Sequence, residues 1–184
     1  VVVFIKLAHS SKYGVTIKMA WKKLDTQTLS GTADDIDITG LTENKFMTIL
    51  NQTVPTGNVQ ITQYTGTGSF VTTGGEYSQR NSVNAAADGT RINSNDIEIG
   101  SSINAVYTAP RFSIIHCINI ATQDKLMIAH VVNANNSGAG TAPDREECFV
   151  KWENNTTVMD QWRSHNIETG DQTTDTNLTG FGTD

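Results

Sequence analysis

Two short runs, Phe112 to Ile120 and Leu126 to Val132, alternate in side-chain character with a period of two, a pattern that only extended strands turn into one continuous face. The even positions make that face: Ile114, His116, Ile118 and Ile120 in the first run, Leu126, Ile128, His130 and Val132 in the second. For antiparallel partners to present both sets on one side, paired residue numbers must have an even sum, so the connecting loop must hold an odd number of residues. Thr122-Gln123-Asp124 meets that condition. With Ala121 opposite Lys125, the register places Ile118 opposite Ile128 and His116 opposite His130. The even face is then expected to be buried. A loop of small residues, Asn133 to Arg145, and a third strand, Cys148 to Trp152, complete the unit.

The rest of the chain has the same character. Asp34 to Ile38 reads as a half-buried strand with Ile36 and Ile38 facing one way, and Lys45 to Val54 is apolar on both sides, which predicts a central position ended by Pro55. Val59 to Tyr64, Tyr77 to Val83, Asp96 to Ile99 and Met159 to Ile167 are further strands. Thr65 to Glu76 reads as a loop, Asn84 to Asn95 as a polar separator, Ser101 to Tyr107 as at most one helical turn, and Glu168 to Asp184 as a polar tail. No long stretch repeats apolar residues at helical spacing. About nine or ten strands between turns predict an all-β fold, an antiparallel β-sandwich of jelly-roll type.

At 184 residues the chain suits one domain with a substantial core. The start, Val1 to Leu7, reads either as a strand or arm or as an upstream extension of a reading frame beginning at Met19. We take residues 1–18 as the extension and 19–184 as the single domain. That start is broken by Lys6 and makes a poor secretion signal. Net charge is -6 and only 17% of residues are charged, so there is no basic field for nucleic acid or anionic lipid, and no apolar run of membrane-spanning length. Neither a nucleic-acid nor a membrane partner is expected. Cys117 and Cys148 fit no metal ribbon or disulfide framework and read as core residues.

Sequence chemistry is sparse. His116 and His130 share a face, but no third ligand falls on it, so they read as packing histidines rather than a metal pair. Cys117 points away from His116 and is not paired with it for nucleophilic work. Asp34, Asp35 and Asp37, with Asp88, Asp96 and Glu98 elsewhere, lack the fixed offsets of a calcium loop and read as a solvated strand face. Glu146 and Glu147 project to opposite sides of a strand, unlike a glycosidase pair. No catalytic residue, cofactor or metal site is expected. Trp21, Trp152 and Trp162 are candidate aromatic anchors in a core or interface, with a sugar-stacking platform as the alternative.

Met19-Ala20-Trp21-Lys22-Lys23-Leu24, Asp35-Ile36-Asp37-Ile38-Thr39-Gly40-Leu41, Tyr77-Ser78-Gln79-Arg80, Lys125 to His130, Gly138 to Arg145, Lys151-Trp152 and the closing Gly180-Phe181-Gly182-Thr183-Asp184 resemble, in their order, small structural proteins of tailed phages and marine viruses. The resemblance omits residues 1–18 and departs at Cys148. It implies a virion component, read as non-enzymatic and placed in capsid decoration, tail or fibre with other virion proteins; self-assembly, a trimer being favoured, is expected separately from the small-residue loop and the low charge density. The small-residue loop, with Gly138, Ala139, Gly140, Thr141, Pro143 and Arg145, is the candidate interface, because backbones approach closely where side chains are small. A secreted carbohydrate-binding sandwich, with a surface glycan as its partner, is the alternative.

Overall fold

The computed structural model describes residues 21–41, 45–57, 59–83, 89–99, 109–134, 139 and 142–183. The described residues contain strands and no helix: β1 (Lys22–Thr28), β2 (Asp35–Thr39), β3 (Phe46–Thr53), β4 (Pro55–Thr56), β5 (Ile61–Gly66), β6 (Tyr77–Val83), β7 (Gly89–Ser94), β8 (Ile97–Glu98), β9 (Arg111–Ile118), β10 (Lys125–Asn133), β11 (Asp144–Trp152), β12 (Gln161–Asn166), β13 (Asp171–Gln172) and β14 (Asn177–Thr183). An eight-stranded sheet in the order β1-β14-β3-β9-β10-β11-β6-β7 packs on a four-stranded sheet in the order β2-β12-β5-β8, and β13 pairs with β4 at one end. All ladders are antiparallel. This is a two-sheet antiparallel sandwich; the strand order does not itself establish the jelly-roll connectivity expected above. Residues 1–20 and Ser101 to Tyr107 lie outside the described residues, so the expected N-terminal extension and helical turn are not located.

The inward positions of the two sheets make the core. Ile36 and Ile38 on β2 face inward as expected, and β3 is central, between β14 and β9. Trp162 on β12 and Trp152 on β11 are fully enclosed, and Tyr77 on β6 joins the sheets: its hydroxyl lies 2.8 Å from Thr65 Oγ1 and accepts the Thr65 N–H at 3.1 Å. The rings of Tyr77 and Trp152 meet at 6.1 Å between centroids, and Trp152 Nε1 donates to Glu76 Oε2 at 2.9 Å.

The hairpin keeps the expected parity but differs in register and in facing. His116 lies opposite Ile128, and His130 opposite Ile114. The strands end at Ile118 and resume at Lys125, so the turn is longer than Thr122-Gln123-Asp124. Two buried polar residues, Asn119 and Lys125, anchor the turn. The Lys125 ammonium donates to the carbonyls of Ile120, Gln123 and Asn154 at 2.8, 2.8 and 2.7 Å, while the Asn119 amide bridges Leu41 and Met159. The odd face, not the even one, is buried: Ser113, Ile115 and Cys117 on β9, with Met127, Ala129 and Val131 on β10. Small Ser113 and Ala129 let the second sheet approach to the roughly 10 Å spacing of packed sheets. The bulkier even residues point outward.

β14, expected as polar tail, sits between β1 and β3. Gly180 is what allows this: a Cβ there would lie 3.0 Å from both Ile38 Cδ1 and Leu41 Cδ2 and 3.5 Å from Ile49 Cδ1. Branching at this point pushes the sheets apart. Gly180→Val is therefore expected to lower stability by about 1–3 kcal/mol, the usual cost of overpacking, measured as a reduced denaturation midpoint at unchanged m-value. A midpoint equal to wild type would show that the sheets do not meet at Gly180.

Candidate functional site

The outer face of the large sheet is the least ordinary surface of the molecule. Its rows follow from the ladder registers: Phe46 opposite Ile118, Leu50 opposite Ile114, Phe112 opposite Val132, and Ile128 between His116 and Phe149. Leu126 continues the stripe on β10 and Ile92 flanks it on β7. Seven of the apolar side chains among them are exposed, from 39% for Phe112 to 71% for Ile92. Leu126, Ile128, Phe149 and Ile92 line a shallow, mainly apolar groove of about 430 Å³ that also touches Arg80 and Lys151. An antiparallel sheet with one solvated face normally alternates apolar-in and polar-out; this one carries bulky apolar residues on its outer face as well.

Both histidines belong to this outer face, which corrects the expectation that they are buried or half-buried packing residues. His116 Nδ1 lies 3.0 Å from Thr48 Oγ1, and His130 Nδ1 is 3.7 Å from Glu147 Oε1, which is also 3.7 Å from Arg145 Nη1. Among the candidate loop residues, Ala139, Pro143 and Arg145 are exposed, and Arg145 stands opposite Val132 at the edge of the apolar face. Gly138, Gly140 and Thr141 lie outside the described residues. Of the three tryptophans, Trp152 and Trp162 are sealed in the core, and Trp21, 53% exposed, precedes β1.

The opposite side of the sandwich carries a polar cluster. Arg163 on β12 grips Asp37 in a bidentate pair, both contacts at 2.7 Å, reaches Asp35 at 3.0 Å, and stacks over the Phe70 ring at 4.3 Å. The Asp37 hydrogen bond, ahead of the neighbouring charges, raises the Arg163 pKa above its ordinary value. His165 Nδ1 lies 2.5 Å from Asp35 Oδ1, and its ring tilts against Tyr64 at 5.7 Å. Asp35 and Asp37 are thus ion-paired across strands rather than simply solvated. Asp88 lies outside the described residues, and among those described no three His, Cys, Asp or Glu side chains are placed to hold a metal ion. Beside Tyr64 runs a polar groove of about 490 Å³ lined by Ile92, Asn93, Ser94, Asn95 and Asp96. Asn93 adopts a left-handed φ of 53° there.

Cys117 and Cys148 are both buried free thiols, as expected of core residues. Burial pushes the Cys117 pKa up to about 12, the opposite of what a nucleophile needs. Glu146 is buried, accepting from Asn81 Nδ2 at 2.7 Å, whereas Glu147 faces out, so the two carboxylates do point apart.

Fold and surface together define an antiparallel β-sandwich with an apolar external sheet face. No protein-family model, no curated protein and no solved structure matches the chain.

Proposed function

We propose that this chain is a non-enzymatic structural protein of a virus particle, working through assembly and display rather than catalysis. The observation that carries the reading is the outer face of the eight-stranded sheet, where the bulky apolar residues of the central hairpin meet solvent instead of the core. Exposed apolar area there is roughly 600 Å², taking about 150–250 Å² for each aromatic side chain and slightly less for each aliphatic one; the largest apolar patch of an ordinary monomer is about 300–600 Å² and is itself often functional. Such a face is of use to a protein that spends its working life packed against neighbours. The resemblance of the ordered segments to phage and marine-virus structural proteins supports the same reading.

The carbohydrate-binding alternative is supported by the Tyr64 groove and by exposed Trp21. It is weakened by the enclosure of Trp152 and Trp162, which leaves no tryptophan platform. The test is mass spectrometry of purified virions from the source sample, run beside a glycan array on the isolated protein. The expected result is peptides from the chain in the particles and no specific glycan on the array; absence from particles with specific glycan binding overturns the proposal.

A further inference from the structure

We infer that the occupant of the apolar sheet face is a second copy of the same chain, stacked face to face about a two-fold axis running along β10. This rests on the assembly reading above and names its partner and its interface.

Area comes first. A standard interface removes about 800 Å² per partner, of which about 56–65% is apolar. The roughly 600 Å² of apolar surface exposed here matches that share without recruiting any other part of the molecule.

The distribution of charge selects a copy over an unrelated partner. Outward positions on β3 and β9 are Phe46, Thr48, Leu50, Gln52, Phe112, Ile114, His116 and Ile118, two strands that present no carboxylate, lysine or arginine outward. Outward positions on β11 and β6 include Arg145, Glu147, Lys151 and Arg80 around Phe149. A two-fold along β10, the strand between these pairs, lays the uncharged β9 and β3 of each copy over the charge-bearing β11 and β6 of the other. No like charges then face one another, a juxtaposition that would otherwise cost several kcal/mol. The same operation brings Phe46 on β3 of each copy, 49% exposed, over β6 of the other, beside the groove lined by Ile128, Phe149 and Ile92. Such an isologous contact closes at two subunits, in place of the trimer expected from the loop. Arg145, the loop residue on this face, falls at its rim.

The experiment is sedimentation velocity on the full chain at micromolar concentration, with Ile128→Lys, Leu126→Glu and, as a control on the other sheet, Thr39→Lys. All three substituted positions are solvent-exposed strand sites, and circular dichroism checks that each variant is folded. The wild type and Thr39→Lys are expected to sediment as dimers. Ile128→Lys is expected to weaken association roughly 30-fold or more, the effect of losing a central anchor; Leu126→Glu gives a second reading at another point of the face. A monomeric wild type, or a dimer that survives both face substitutions, overturns the inference. A monomer recovered from purified particles overturns the dimer and leaves the structural reading standing; a face-dependent dimer absent from particles does the reverse.

Discussion

Truncating Trp162 to alanine is expected to lower unfolding free energy by about 3–5 kcal/mol, the range for emptying a fully buried aromatic site. Trp162 has no exposed surface and lies on β12 between Ile38 of β2 and Thr65 of β5. Its indole N–H donates to Gln63 Oε1 at 2.6 Å; Gln63 Nε2 in turn donates to Ser164 Oγ at 3.3 Å, which also receives Asn51 Nδ2 from the large sheet at 2.9 Å. The ring is thus both filler and the start of a polar chain linking the sheets. Trp162→Phe separates the two roles, because it keeps most of the volume and removes the donor; it is expected to cost about 1–3 kcal/mol, the penalty for a buried acceptor left unpaired. Denaturant unfolding followed by circular dichroism reads both. A loss under about 1 kcal/mol for Trp162→Ala would place the side chain outside the intersheet layer.

Strand positions were legible wherever one face was plainly apolar and the other plainly polar. Ile36 and Ile38 against Asp35 and Asp37 identified β2 and its inward side, and the bounds expected for β6, Tyr77 to Val83, are those observed. The central hairpin shows where this reasoning stops. Alternation supplies a period and a parity; it supplies a facing only if a single side is apolar. In β9 and β10 both sides are, and bulk favours the even set for the core, whereas the sandwich buries Ser113, Cys117 and Ala129 instead. Buried polar groups at the strand ends add to the disguise: Lys125 looks like a surface residue until the carbonyls of Ile120, Gln123 and Asn154 converge on it, Asn119 until Leu41 and Met159 do, and Arg111 until it reaches the Ile99 carbonyl.

β14 was hidden for a different reason. Asn-Leu-Thr-Gly-Phe-Gly-Thr has the composition of a tail, and the need for Gly180 arises from Ile38, Leu41 and Ile49, far away in sequence. The Asp35–Arg163–His165 cluster likewise joins residues that only the β2–β12 ladder makes neighbours. For the candidate site the difference is informative: the even residues of the central hairpin, expected in the core for their apolar character, are left outside, which is the reason to expect that something else covers them.

Alkaline pH should unfold the protein through groups the core holds neutral. Cys117 sits in one inward row with Met47 and Met127, and burial raises its thiol pKa from 9.0 to about 12. Burial also raises Tyr77 from 10.0 to about 12, against the opposing pull of its hydrogen bonds to Thr65. Both folded-state values lie above the unfolded ones, so the stabilisation is complete below pH 9. As pH rises, the unfolded chain releases these protons while the folded chain keeps them, and stability is lost until the folded groups ionise near pH 12. Each group contributes a slope of about 1.4 kcal/mol per pH unit inside its window. Unfolding free energy is therefore expected to fall by about 2–3 kcal/mol between pH 9 and pH 11 from Cys117, with Tyr77 adding about 1 kcal/mol above pH 10. Lys125 acts in the opposite sense, since desolvation lowers its pKa and the folded chain sheds that proton first. The difference between wild type and Cys117→Ala cancels Lys125 and every other shared group. Wild-type stability minus that of Cys117→Ala should fall steadily, by about 2–3 kcal/mol, as pH rises from 9 to 11 in urea titrations, because only the wild type loses the thiol's share. Parallel curves for the two proteins across this range would show that Cys117 ionises as readily folded as unfolded, and hence that the layer between Met47 and Met127 is open to water.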